Sequence, residues 1–119
     1  MTKFFFLSII SFVLLSDDIT IEWTDSTEHD FETIAQGIPK THKFTFKNTH
    51  DEPIVIETIR TTCGCTVPEW SEEPVLPDSL GTIQLQYDAQ KMGYFRKKIR
   101  VFFAHQRKAE HLFIEGFVE

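Results

Sequence analysis

From residue 19 onward, apolar and polar positions change places at nearly every second residue. Ile19, Ile21 and Trp23 alternate with Thr20 and Glu22, and Phe44 and Phe46 alternate with Lys43, Thr45 and Lys47. Ile83, Leu85 and Tyr87 alternate with Thr82, Gln84 and Gln86, the clearest amphipathic stretch in the chain. A period of two belongs to a strand with one buried face, and no stretch sustains the 3.6-residue repeat of a surface helix. Phe31 and Ile34 mark a further short segment, closed by Gln36-Gly37. The β-branched run Ile54-Val55-Ile56-Glu57-Thr58-Ile59 predicts a central, buried strand. Phe95, Ile99, Val101 and Phe103 outline another, and Leu112, Ile114, Gly116 and Val118 the last.

Turn chemistry separates these segments, at Asn48 to Pro53, Pro77 to Gly81, Asp88 to Gly93 and residues 104–110. Pro68-Glu69-Trp70-Ser71-Glu72-Glu73-Pro74 carries two prolines and three acids, which argues against a regular strand there. About seven short strands in about 100 residues predict an all-β fold, an immunoglobulin-like antiparallel β-sandwich. Phe102, Phe113 and Phe117 fall on the face opposite the main core. They are either scattered surface aromatics or an apolar face that a loop or partner protein covers.

The first residues follow another pattern. Lys3 precedes the uncharged apolar run Phe4 to Leu15, Ser16 is small, and Asp17-Asp18 ends the run. That order predicts a secretory signal peptide over residues 1–16 and a single domain over residues 17–119. The run is shorter than the roughly 20 apolar residues that span a bilayer. Leu14 stands where a small residue is preferred, so retention by an uncleaved N-terminal anchor is the alternative. With the leader removed, the expectation is a periplasmic or secreted protein with no membrane span.

The chain of 119 residues has a net charge of −6, and removing the leader takes away one more cation, Lys3. An acidic domain repels phosphate backbones, so nucleic-acid binding loses its main driving force. Arg96-Lys97-Lys98 with Arg100 is a local basic exception, read as a solvated strand face.

The two cysteines of the chain stand in Thr61-Thr62-Cys63-Gly64-Cys65-Thr66. Three chemistries suit them. Export favours a disulfide between Cys63 and Cys65. Two extended residues span about 6.6 Å, near the upper limit for a disulfide's Cα separation, and the glycine between them lets the backbone tighten. A three-residue ring contributes roughly 1.6 kcal/mol by loop entropy, against about 3 for a fifteen-residue loop. Such a bond is a poor staple and easily reduced. Alternatively, Cys63 and Cys65 as thiolates bind Cu(I), or Zn(II) with further ligands from Met92 or from His29, His42, His50, His105 and His111. Redox exchange is the third chemistry, although the Cys-x-x-Cys spacing at a helix start is absent.

Other chemistry is thin. No triad-like pattern, metalloprotease spacing or Gly-rich phosphate loop occurs, and the pairs Asp17-Asp18 and Glu72-Glu73 read as solvated turns. A non-enzymatic role without a cofactor is the expectation.

Phe44-x-Phe46-x-Asn48, Pro53-Ile54-x-Ile56-x-x-Ile59, Cys63-Gly64-Cys65-Thr66, Pro77, Gly81-x-Ile83-x-Leu85, Gly93-x-Phe95-x-Lys97 and Leu112-x-Ile114-x-Gly116 follow one another in that order. Together they resemble the bacterial family called domain of unknown function 1573, from about Phe31 to Val118. The resemblance implies a secreted or periplasmic immunoglobulin-like domain, similar in fold to the major sperm protein and to domains of cilia and centrosome proteins. It implies no catalytic residues. The family commonly places glycine in the turn after its asparagine, where this chain has Thr49-His50-Asp51-Glu52, so a longer or differently shaped turn is expected. The expected role is a binding or structural module of the cell envelope. Its partner would be another envelope protein, held through a sandwich edge or the aromatic face. The alternative is a small metal-handling or thiol-redox protein centred on Cys63 and Cys65.

Overall fold

Alternating side chains build eight strands in the computed structural model, which describes residues 19–119. The leader read over residues 1–16 lies outside the described residues. The strands are β1 (Ile21–Trp23), β2 (Glu28–Ile34), β3 (Lys40–Asn48), β4 (Ile56–Thr61), β5 (Thr66–Trp70), β6 (Leu80–Tyr87), β7 (Gly93–Phe103) and β8 (Glu110–Val118). They form two four-stranded sheets, ordered β1-β3-β6-β5 and β2-β8-β7-β4. The inward faces meet in one core that includes Phe44, Phe46, Ile83, Leu85, Ile99, Val101, Phe103, Leu112 and Ile114. The all-β sandwich read from the alternation is therefore the fold.

Aromatic pairs join the two sheets. Phe46 of β3 meets Phe103 of β7 edge-on at 5.3 Å, and Tyr87 of β6 stacks on Phe95 of β7 at 3.8 Å. Both phenylalanines lie over a glycine on the neighbouring strand of their own sheet. Phe46 is the register partner of Gly81, and Phe95 that of Gly116. A Cβ at Gly81 would collide with the Phe46 ring, and one at Gly116 would stand 2.9 Å from Phe95. Gly81 is thus a strand residue chosen for the ring above it rather than the turn residue its neighbours suggested.

Three sequence expectations change. First, Pro68 and Glu69 do belong to a strand, which raises the count from about seven to eight. Strand β5 is an edge, paired with β6 alone. The Asp88 N–H donates to the Cys65 carbonyl at 2.9 Å, so Cys65, and by alternation Val67 and Glu69, turn their backbone toward β6. Pro68 faces outward, where its missing N–H breaks no ladder bond. Second, β4 is an edge and not a central strand. A bulge between Ile56 and Thr58 lets Ile56 and Ile59, three residues apart, both point inward, while Glu57 and Arg60 are exposed. Third, the pairing is not wholly antiparallel, because β2 runs parallel to β8. Another bulge there, with Glu32 at φ 62°, turns both Phe31 and Ile34 toward the core.

Asn48 closes the far end of β3. It is buried, with no exposed surface. Its side-chain N–H groups donate to the carbonyls of Glu52 (2.9 Å) and Val75 (2.8 Å), and its Oδ1 accepts from the His50 N–H (2.8 Å). The Asn48 backbone N–H donates to Ser79, and its carbonyl accepts from Asp78. Beside it, Ile54 and Val75 exchange backbone hydrogen bonds in an isolated bridge. The side chain therefore shapes the turn through Thr49-His50-Asp51-Glu52, and no residue of that stretch needs a positive φ. Asn48→Ala takes the side-chain partner from the Glu52 carbonyl and the His50 N–H, while the Val75 carbonyl keeps the Ile54 N–H. We expect a loss of about 2–4 kcal/mol, read as a lower urea midpoint at unchanged m-value.

Candidate functional site

The cysteine loop carries the chain from β4, at the edge of one sheet, to β5, at the edge of the other. Thr61 ends β4 and Thr66 begins β5. The Thr61 hydroxyl lies 3.1 Å from the Cys63 carbonyl and 3.3 Å from that of Thr66, so one donor ties the loop to both strands. The Thr66 N–H donates back to the Cys63 carbonyl at 3.3 Å. Cys63 and Cys65 are half-buried, and Cys65 packs against the core. Their sulfurs are at bonding distance and their Cα atoms 5.2 Å apart. That is well within the usual disulfide range and shorter than the extended estimate.

The tightening does not come from glycine. Gly64 has no positive φ, and nothing lies within 4 Å of a Cβ placed on it. The threonine hydrogen bonds and the switch between sheets shorten the loop instead. The Cys65 N–H points at the Cys63 sulfur from 3.1 Å. For soft-metal binding the loop lacks company. Among the described residues no group of three His, Cys, Asp or Glu side chains could hold a metal ion. The metal-handling alternative therefore gains no support.

The structure does bring two histidines together. His29 of β2 and His42 of β3 belong to different sheets, and both side chains point inward. Their rings stack at 3.6 Å and 9°, flanked edge-on by Phe31 and Phe44. Parallel rings point their nitrogen lone pairs side by side rather than at one common point, which is poor geometry for chelation. Burial holds the His42 pKa below its ordinary 6.5; His29 lowers it further, and Asp25 opposes both. Sequence could place each histidine on an inward position, since His42 stands two residues before Phe44. It could not show that they meet. His50, by contrast, sits 3.5 Å from Asp51 on the Asn48 turn.

The outer aromatic face is mostly covered by the protein's own cations. The Arg96 guanidinium lies 4.5 Å over Phe113, and that of Arg60 lies 5.5 Å from the centre of Phe102. Phe117 stays 47% exposed, beside its register partner Tyr94 at 66%.

The family model described as "Protein of unknown function (DUF1573)" matches residues 21–118. The chain belongs to the DUF1573 family. Solved structures similar to this DUF1573 chain share its sandwich. A protein of unknown function from Porphyromonas gingivalis W83 superposes with a TM-score of 0.72 at 13% identity, over 86% of this chain and 48% of that one. The PapD-like domain 7 of human CEP192 gives 0.69 at 8% identity, over 83% of this chain and 84% of that one. The secreted serine protease VesC from Vibrio cholerae gives 0.59 at 12% identity, over 85% of this chain and 23% of that one. The chain thus spans about half of the first protein and about a quarter of VesC. At these identities the likeness is one of fold. No curated protein sequence matches the chain.

Replacing both cysteines with serine should leave the fold standing at a loss of about 1–2 kcal/mol, and Gly64→Ala should stay within about 0.5 kcal/mol of wild type. Urea denaturation with a free-thiol assay checks both; a larger loss for Gly64→Ala would show that the loop needs glycine after all. For His42, the depressed folded-state pKa means that the unfolded chain takes up the proton first as pH falls. Its neutral ring therefore contributes stability that is fully present above 6.5 and is lost as pH falls through the lower folded value. Thermal melts from pH 8 to pH 5 should decline in wild type and be flatter in His42→Leu.

Proposed function

We propose that this DUF1573 chain is a non-catalytic binding or structural module, exported to the cell envelope, that holds another envelope protein through a sandwich edge. The observation that carries it is an open stretch of β3. Strand β1 pairs only with Phe46, Lys47 and Asn48. The Thr24 N–H then donates to the Thr45 carbonyl, and the chain leaves for β2 in the other sheet. By alternation the backbone groups of Thr41 and Lys43 point to the same side as Thr45, with no neighbouring strand among the described residues. An extended segment of a partner can complete that edge, as added strands do elsewhere. The far edge of the same sheet, β5, is blunted by Pro68.

Export is supported by the charged, apolar and small order of residues 1–16 and by the bonded cysteine pair. No helix among the described residues is long and apolar enough to cross a membrane. The absence of a nucleophile, base or phosphate-loop pattern in the sequence supports a role without catalysis.

The test is fractionation of the native host combined with a photo-crosslinker placed at Thr41. We expect a product beginning near Asp17 outside the cytoplasm and one adduct of discrete mass. Lys43→Pro, which removes an outward N–H without touching the β6 ladder, should abolish the adduct. A cytosolic product starting at Met1, or an adduct indifferent to Lys43→Pro, would count against the proposal.

A further inference from the structure

The outer face of the β2-β8-β7-β4 sheet carries a row of basic side chains. On β7, Phe95, Ile99, Val101 and Phe103 point into the core, so Arg96, Lys98, Arg100 and Phe102 point out. Arg96 is neutralised, 2.7 Å from Glu28 and 3.4 Å from Glu115. Its neighbours are not. Arg100 has Arg60 directly opposite on β4 and His111 directly opposite on β8. Arg60, Arg100 and His111 therefore line up across three strands, and Lys98 stands on the same face of β7. Among the described residues none of these four is in ion-pair contact with a carboxylate.

Like charges directly opposite each other cost stability in a sheet. This chain has more carboxylates than cations, with 18 Asp and Glu against 12 Lys and Arg. Acidic residues to pair with the row are plentiful, yet the ion pairs beside it are spent on Arg96. Arg60 and Arg100 are exposed, and Arg60 is held over the half-buried ring of Phe102. Stacking of that kind leaves the edge of a guanidinium free to take a carboxylate in two parallel hydrogen bonds.

The geometry points to an acidic peptide segment of a partner protein as the occupant of this row. Its carboxylates would lie on Arg60 and Arg100, and a neighbouring apolar side chain on Phe102. The charge distribution favours a short acidic segment over an extended polyanion. The row crosses three strands, about 10 Å, and the surrounding body is net negative. A nucleic acid or an anionic membrane presents charge over a far larger area and would meet that repulsion. The inference rests on the binding-module reading above and names a second contact of the same partner, on a different surface from the β3 edge.

The probe is a fluorescein-labelled peptide of alternating glutamates and phenylalanines, titrated by anisotropy at low salt and at about 0.3 M salt. Wild type should bind, more weakly at the higher salt. The double variant Arg60→Gln/Arg100→Gln should bind at least about tenfold more weakly, with a melting temperature equal to or above wild type because the repulsion is gone. Lys40→Gln/Lys91→Gln, which removes two exposed charges elsewhere, should change affinity by less than about twofold. The inference is overturned if the peptide does not bind, if both double variants weaken it equally, or if a single-stranded oligonucleotide or an anionic-lipid vesicle binds more tightly than the peptide. A lower melting temperature for Arg60→Gln/Arg100→Gln would also overturn it, by giving the pair a structural role. Loss of peptide binding alone, with the Thr41 crosslink intact, rejects this contact and keeps the module; loss of the crosslink alone rejects the edge.

Discussion

The buried amide of Asn48 is the constraint around which the two sheets are joined. Its two donors reach carbonyls on different segments, Glu52 before β4 and Val75 before β6, and its acceptor takes the N–H of His50. These segments carry the chain into opposite sheets, so one side chain sets where β4 and β6 begin. No other residue type has the two donors and one acceptor at this length. An aspartate would put a charge against two carbonyls. An unpaired polar group at this depth would cost more than the hydrogen bonds contribute net, so the position tolerates little substitution.

From that corner the sandwich is spaced by aromatic rings. Phe46 fills the space made by Gly81 and reaches Phe103 across the core, while Phe95 lies over Gly116 and reaches Tyr87. Large rings packed over glycines also fix strand register, because a shift of one residue would turn each ring outward. The stacked His29 and His42 continue the same role with groups that can be charged. That makes this margin of the core sensitive to acid in a way the phenylalanine pairs are not.

The edges show how this fold handles unpaired backbone. Pro68 guards β5, and bulges distort β2 and β4. Against that background the open backbone of Thr41 and Lys43 stands out, as does the unpaired row of Arg60, Arg100 and His111 on the opposite sheet. Both features leave interactions unmade in the isolated chain, and these are the openings the proposed partner would use. The cysteine loop between β4 and β5 belongs instead to the architecture, since its hydrogen bonds tie the two sheets together at one corner.

Local pattern was enough to read the strands whose partners lie on both sides. In β3, β6, β7 and β8, one face is buried along most of the length, so period-two alternation survives in the residues themselves. That the sulfurs of Cys63 and Cys65 lie close together was legible for a similar reason, since two residues of separation leave few geometries, but local sequence left disulfide, metal and redox chemistry open. Tertiary structure decided the rest. A bulge changes the spacing of inward residues from two to three, which hid the facing of Phe31 and Ile34, and the β-branched run of β4 looked central although the strand lies at an edge. Proline excludes a strand only if its nitrogen faces a neighbour, and that depends on the neighbour. Gly64 was assigned a conformational role that hydrogen bonds from Thr61 perform. The meeting of His29 with His42, and of Arg60 with Arg100, depends on which strands become neighbours across 13 or 40 residues of chain. Those contacts are set by the packing of the whole sandwich, where no short stretch of sequence carries the information.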